Sequence, residues 1–283
     1  MICNMESHHK PSWAEKIIAK FIPESLEKEV GLSLIIPVFN DSERIGATLE
    51  SIKRQNFSPL EVIIVDAGST DHTLEIVNSY QNLISRIYTV TNYNLYEMLN
   101  RGISLASKRY TAFLFPGSFY LSDTAFHVMA HAIGEGDYPE LLCSGAIQTE
   151  TRRAPRQVLL PLERSYLQRG ICPVVLAACW FRSDLFEILG KFHSSFTQRS
   201  FFDFLCRFIQ QDSFRVVQLD RVYVEYDAGR FSYGKLLKYA SDTWRILNIH
   251  FGLKWAFVWF LGVNHFNFVK WWFRNLERRA FKR

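Results

Sequence analysis

The 283-residue chain has little cysteine: Cys3, Cys143, Cys172, Cys179 and Cys206, an odd set with no C-x-x-C pair. That pattern argues against a disulfide framework and a zinc knuckle, and it implies a reduced, intracellular home. Glycine (14) and proline (9) are too scarce for a collagen-like or low-complexity polymer. Long apolar runs are missing as well. The longest, Trp255 to Val263, has nine residues, against the roughly 20 that cross a bilayer as a helix. Met1 to Lys10 is polar, and no apolar run of signal-peptide length follows it. No membrane span and a cytoplasmic location are therefore expected. The body of the chain also lacks excess positive charge. Net charge is +5, but the segment from Phe251 to Arg283 alone carries seven Lys or Arg against Glu277, leaving the rest near −1. A general nucleic-acid binder would spread its basic surface over the fold, so nucleic acid is not an expected partner.

What is present is a core. Hydrophobic residues make up 48% and aromatic residues 15%, enough for one large α/β domain with appended elements. Ala14 to Phe21 reads as a short amphipathic helix closed by Pro23. From Gly31 onward, apolar runs at Leu32 to Phe39, Leu60 to Val65, Ile84 to Val90 and Tyr110 to Phe115 alternate with apolar residues at helical spacing: Ile45, Leu49 and Ile52; Leu74, Val77 and Tyr80; Leu95, Met98, Leu99, Ile103 and Ala106. Strand, helix, strand in repetition predicts a doubly wound, mostly parallel sheet with its ligand site at the carboxyl ends of the strands. Further on, Ser122 is expected to cap a helix running to Ile133, and Leu141 to Thr149 reads as a strand. Thr151 to Arg156 (TRRAPR) reads as an exposed basic loop. Val174 to Phe181 reads as a strand, Ser183 as a cap, Phe201 to Gln211 as a helix and Phe214 to Tyr226 as a strand. From Ser232 the pattern is helical.

The strand ends carry residues suited to a ligand. Asn40 stands three residues before Glu43, an N-capping arrangement. Asp66-Ala67-Gly68-Ser69-Thr70-Asp71 is a carboxylate at a strand tip followed by a glycine turn and a helix start. An Asp there can accept hydrogen bonds from a base or ribose, and the free amides of a helix start suit an anion. The same turn also reads as an ordinary strand-to-helix connection capped by Ser69 or Asp71.

An ordered series of segments resembles the inverting family 2 glycosyltransferases. LSLIIPVFN from Leu32 is similar to the family's "IIPVYN" strand, and VDAGSTDH from Val65 to its "D-G-G-S-T-D" turn. Asn94 to Ile103 (NLYEMLNRGI) resembles "G-I-Y-D-A-M-N-K-G-I", and Tyr110 to Tyr120 (YTAFLFPGSFY) takes the place of "I-G-F-L-N-A-D-D-F-Y". Phe201 to Arg207 (FFDFLCR) resembles "A-D-Y-D-L-L-L-R", and Ala228 to Ser232 a closing "G-G-x-S". The resemblance implies a GT-A fold over residues 31–231, with helical extensions at 1–30 and 232–283. It implies a nucleotide-sugar donor and a glycan or lipid-linked acceptor. Pro37, Phe39, Asn40, Asp66, Gly68 and Ser69 would form the nucleotide pocket, with Asn94, Tyr96, Asn100, Arg101, Gly117 and Ser118 beside the donor sugar and phosphates. Phe39 reads equally as core packing.

Two departures stand out. Where the family holds a divalent cation, magnesium or manganese, on paired aspartates, this chain has Pro116-Gly117-Ser118, so no metal ligand is assigned. Where the family's first "A-D-Y-D" aspartate would act as base, this chain has Phe201, leaving Asp203 as the catalytic candidate. The family histidine near Cys172 and Pro173 is absent, although His193 lies downstream. Two readings follow: a metal-independent enzyme whose missing positive charge comes from Arg101, Arg152, Arg153 or Arg156, or a catalytically decayed sugar-nucleotide or glycan binder on the same fold. A nucleotidyltransferase is disfavoured, because no glycine- and lysine-rich phosphate loop follows the first strand. Residues 251–283 hold four of the seven tryptophans and seven phenylalanines beside basic residues. They suit either the headgroup layer of an anionic membrane or packing on the core.

Overall fold

The structure, a computed structural model, describes residues 29–91, 93–150, 153–227 and 233–262. The helix expected at Ala14 to Phe21, the Ala228 to Ser232 motif and the chain beyond residue 262 lie outside the described residues.

The first half follows the alternation in the sequence. β1 (Leu32–Val38), α1 (Ile45–Lys53), β2 (Leu60–Asp66), α2 (Thr73–Ser79), β3 (Ile84–Thr89), α3 (Leu95–Leu105) and β4 (Tyr110–Phe113) come in order. β1 pairs in parallel with β2 on one side and β4 on the other, and β2 pairs in parallel with β3. Every residue of β1 and β4 is buried, which is why these runs are apolar but for Ser33 and Thr111: a strand covered on both faces has no side to give to water. Along β1, β2 and β4 alternate residues enter two separate cores. Ile35, Ile63, Val65 and Phe113 face one, and Leu34, Ile36, Val62, Ile64 and Ala112 the other. β3 is an edge strand with three exposed residues in a row.

The second half departs from simple alternation. It comprises β5 (Phe119–Tyr120), α4 (Ala125–Glu135), β6 (Leu141–Glu150), β7 (Arg153–Val158), α5 (Arg164–Gln168), a 3-10 turn (Leu176–Ala178), β8 (Cys179–Arg182), α6 (Leu185–Ile188), α7 (Ser200–Phe208), β9 (Val216–Asp227), α8 (Tyr233–Phe251) and α9 (Leu253–Gly262). The sheet order is β3-β2-β1-β4-β8-β6-β9-β5, with β7 also paired to β6. β8 is antiparallel to both β4 and β6, so β6, and β9 parallel to it, run in the same direction as β1. The carboxyl ends of β1, β2, β3, β4, β6 and β9 therefore share one edge of the sheet.

Three expectations are corrected. Most of the TRRAPR segment is not a loop: Arg153 to Val158 returns as a strand against β6, with Arg156 opposite Gln148. Its residues 154–157 are nonetheless exposed, the solvated face that its charge implies. The Val174 to Phe181 strand is shortened to Cys179–Arg182, because the preceding residues turn into a 3-10 segment. Ser183 caps nothing; its Oγ donates to the Lys108 carbonyl at 2.8 Å and meets Thr111 Oγ1 at 2.8 Å, tying β8 to β4, while α6 starts after Asp184. The helical run after Ser232 breaks at Gly252. Ile246, Leu247, Ala256 and Trp259 join the core under α3 and α7, so the described part of the C-terminal region packs on the domain.

One close approach fixes where α3 lies. Gly102 sits on the β1 side of α3, and a Cβ there would collide with Ile35 Cγ2 and come within 3.1 Å of Ile35 Cδ1. Gly102→Ala should destabilise the protein by about 1–3 kcal/mol, because overpacking outweighs the better helix propensity of Ala. A urea-unfolding midpoint equal to that of the unsubstituted chain would show that α3 can move away from β1 and refute the constraint.

Candidate functional site

At the shared edge the tips of β1 and β2 are stapled together. Asn40 has left-handed backbone (φ 51°), which asparagine tolerates. Its amide donates to Ser69 Oγ at 3.0 Å, and its Oδ1 accepts from the Thr70 amide at 2.8 Å. Asn40 therefore does not cap α1. That helix begins a turn later, where the Asp41 carbonyl accepts from Arg44 and Ile45 amides at 2.9 Å each. The reason is geometric: the left-handed residue turns the chain toward β2 before the helix can start.

Asp66 is completely buried. Its carboxylate accepts from the Gly68 amide (3.0 Å), the Ser69 amide (3.1 Å) and the Ser69 hydroxyl (2.6 Å), so its oxygens shape the turn they sit in. A second carboxylate, Asp71, accepts from the Ser42 amide (3.1 Å), the Thr73 amide (3.0 Å) and the Thr73 hydroxyl (2.6 Å). The Thr73 hydroxyl in turn accepts from the Asp41 amide at 2.7 Å, and Asp41 Oδ2 accepts from the Phe39 amide at 3.0 Å. Led by the hydrogen bond from Thr73, these contacts hold the Asp71 carboxyl well below the usual carboxylate range. Sequence reasoning read Asp71 only as a local cap, which its bond from the Thr73 amide bears out, and missed Asp41 and Thr73 as the frame of the site. The Asp-x-Thr spacing ahead of α2 is the signal that could have found them.

Phe39 is 37% exposed and Tyr93 61% exposed, and their rings lie 5.1 Å apart. Phe39 is thus not core packing; the pair forms an aromatic rim between the tips of β1 and β3. Pro37 is buried inside β1 opposite Val65. Asn94 caps α3, its Oδ1 accepting from the Tyr96 and Glu97 amides at 3.1 and 3.3 Å. Tyr96 is buried against Phe192 (5.5 Å), and that burial pushes its phenol up to about 12. Asn100 clamps the Phe192 peptide, donating to its carbonyl at 2.7 Å and accepting from its amide at 3.0 Å. Arg101 is exposed and stacks over Tyr88 at 4.0 Å. Of the four α3 candidates, three support the fold at the site's floor and only Arg101 presents its head to solvent.

The turn after β4 reaches the same edge. Thr48, from α1, accepts from the Gly117 amide at 3.0 Å and donates to the Ser118 carbonyl at 2.9 Å. Gly117 has φ 87°, a region that glycine enters without cost, and a Cβ there would stand 3.3 Å from Arg44 Cδ. Arg44, ion-paired with Asp41, therefore runs alongside Gly117. Hard divalent cations want carboxylate oxygens. Ser118 is buried, Gly117 has no side chain, and Asp41 is engaged by Arg44 and Phe39. Among the described residues no group of three His, Cys, Asp or Glu that could hold a metal ion stands together.

Asp203, the catalytic candidate, sits on α7 and is 1% exposed. It accepts from Arg207 Nε (3.1 Å) and lies 2.8 Å from His250 Nε2 on α8 and 3.2 Å from His193 Nδ1. Arg207 also donates to the carbonyls of Gly190 and Lys191 at 2.9 Å. Asp203 is thus the hub that joins α7, α8 and the 189–193 segment, with His193 its one exposed neighbour among these three. Phe201, in the place of the expected base, is buried 6.3 Å from Phe181.

Comparison with known proteins gives a consistent outcome. The family model described as Glycosyl transferase family 2 matches residues 33–115. A PGL/p-HBAD biosynthesis glycosyltransferase of Mycobacterium tuberculosis is 34% identical over 179 residues, covering 62% of this chain and 68% of that protein. Crystalline S. aureus TarS 1-349, also solved in complex with UDP-GlcNAc, superposes with a TM-score of 0.64 at 17% identity, covering 84% of this chain and 73% of that one. The mannosyltransferase PcManGT of Pyrobaculum calidifontis, in complex with GDP-Man and Mn2+, superposes with a TM-score of 0.53 at 18% identity, covering 86% and 77%. The fold is therefore GT-A, as the sequence resemblance implied.

Two outcomes test this geometry. Asp203→Ala should destabilise the protein by about 3–5 kcal/mol, because it strips a buried partner from Arg207; a loss below about 1 kcal/mol in denaturant titration would show that the hub contributes little. Asp71 has a lowered folded pKa, so its contribution is full above the unfolded value near 4 and is lost as pH falls through the folded value. Asp71→Asn should accordingly flatten the acid limb of the stability curve below about pH 4; acid unfolding identical to that of the unsubstituted chain would contradict this.

Proposed function

The chain belongs to glycosyltransferase family 2, and on that premise we propose that it transfers a sugar from a nucleotide-sugar donor to a glycan or lipid-linked acceptor, inverting the anomeric carbon. The observation that carries this reading is the stapled pair of strand tips at Asn40 and Ser69–Thr70, with an exposed aromatic rim beside it. The base and ribose lie against Phe39, Tyr93 and the Gly68–Ser69 turn. Pro37, Asn40 and Asp66 hold that pocket in shape, and Asn94, Tyr96 and Asn100 hold the floor on which the sugar rests. Residues 31–231 form the transfer domain, flanked by extensions at 1–30 and 232–283.

In the transfer step the acceptor oxygen attacks the anomeric carbon as the bond from that carbon to the diphosphate oxygen breaks. The electron pair leaves with the nucleoside diphosphate, and the acceptor proton passes to a base. Positive charge near the leaving diphosphate lowers the barrier. With no carboxylate pair at Gly117 and Ser118, Arg44 and Arg101 supply that charge. Proton removal is assigned to Asp203 with His193, the exposed imidazole 3.2 Å from its carboxylate. The acceptor is met on the inner face of a membrane, where the C-terminal region attaches peripherally.

Calorimetric titration with UDP, GDP and their sugars, with and without manganese, tests the donor site. Phe39→Ala leaves the folded core untouched and should weaken binding of the preferred nucleotide about tenfold through lost ring contact. Arg44→Ala should weaken diphosphates more than the nucleoside. His193→Gln and Asp203→Asn should each slow turnover by about a hundredfold or more while nucleotide affinity stays the same. Absence of binding by every nucleotide tried, in the presence and absence of metal, would overturn the reading.

A further inference from the structure

Helix α9 has two unlike sides. Ala256 and Trp259 are buried, Trp259 lying flat against Gly170, where an added Cβ would touch its ring at 2.5 Å. On the other side Leu253 (53% exposed), Phe257 (48%) and Leu261 (71%) stand at successive turns, with Val258 and Phe260 beside them and Ile249 at the end of α8. Phe257 and Phe260 both pack edge-on against Trp244, at 5.0 and 5.7 Å, so the outer face is held in place. Single exposed apolar residues are ordinary, but a contiguous face of this kind marks an interaction surface.

The occupant follows from length and charge. No helix among the described residues is long and apolar enough to cross a membrane. The residues that follow, 263–283, contain six Lys or Arg against one acid, with two Trp and four Phe. A second copy of this chain would bring the same positive charge to the contact and be repelled. An anionic headgroup layer satisfies both properties at once: apolar side chains enter the acyl boundary while Lys and Arg meet lipid phosphates.

We propose that the outer face of α9, with Ile249 of α8, lies in the plane of an anionic lipid surface. The buried side of α9 then fixes how the domain sits on the lipid. Gly170, beneath Trp259, accepts from Arg199 Nη2 at 2.6 Å, and Arg199 is the N-cap residue of α7, whose Phe201 shares the core cluster of Trp259 with Tyr96 of α3. The lipid-facing helix is thus braced against α3 and α7, which share its core. This deepens the lipid-linked acceptor of the transfer reading, yet attachment itself does not depend on nucleotide binding.

The test is flotation of the full chain with vesicles of phosphatidylcholine, with and without phosphatidylglycerol, alongside analytical ultracentrifugation without lipid. The chain should float with the anionic vesicles, less at high salt, and Leu253→Glu with Leu261→Glu should weaken partitioning about tenfold or more, since each leucine loses its burial. Both positions are exposed, so thermal stability and nucleotide titration should be unchanged. Flotation unaffected by the double substitution overturns the proposal, as does equal flotation with neutral vesicles. A dimer that the double substitution converts to monomer, with no vesicle binding in either form, overturns it in favour of a second copy. Failure of nucleotide binding alone would sink the transfer reading and leave this result intact.

Discussion

The site depends on a network of short side chains that supply oxygen acceptors to amides which no helix or strand can satisfy. Where β1 and β2 end, the chain must turn, and the amides of Phe39, Asn40, Asp41, Ser42, Gly68, Ser69, Thr70 and Thr73 fall outside the sheet ladder. Asp41, Ser69, Asp66, Asn40, Asp71 and Thr73 take them up. Each bond is worth about 1 kcal/mol, but their shared effect is positional. They bring two turns separated by some thirty residues into one rigid lip, so the aromatic rim and the β4 turn always meet the same geometry.

The same economy of parts governs the rest of the cleft. Thr48 serves α1 and the β4 turn together, and Asn100 holds the loop that carries His193. Asp203 ties three elements at once. A residue in such a position is hard to replace for reasons unrelated to touching a ligand, which separates the scaffold of the cleft from the groups it presents: Phe39, Tyr93, Arg101, Arg44 and His193.

How far the sequence was readable varies with the kind of contact involved. Strands β1, β2 and β4 announced themselves because burial on both faces demands predominantly apolar runs. The convergence of Asn40 with the Asp66 turn followed from parallel topology. Asp41 stayed hidden and Asp71 was legible only as a local cap, because an Asp before a helix looks the same whether it caps locally or also spans to a neighbouring turn. β7 was misread as a loop because Arg153, Pro155 and Arg156 have poor strand propensity, and pairing with β6 outweighs that preference. Arg207, four residues after Asp203 on one helix, is within reach of the helical repeat, whereas His250, 47 residues away in sequence, leaves no local signal.

The antiparallel placement of β8 between β4 and β6 has a temporal side. β4 is finished at Phe113, yet the strand that covers its outer edge begins at Cys179. On a ribosome adding about 5–20 residues per second, that edge waits on the order of several seconds for its neighbour. During that interval a four-residue apolar border is open to any passing chain. Its brevity, and the early closure of its other side by β1, limit what a stray strand could seize while the polypeptide is still being made.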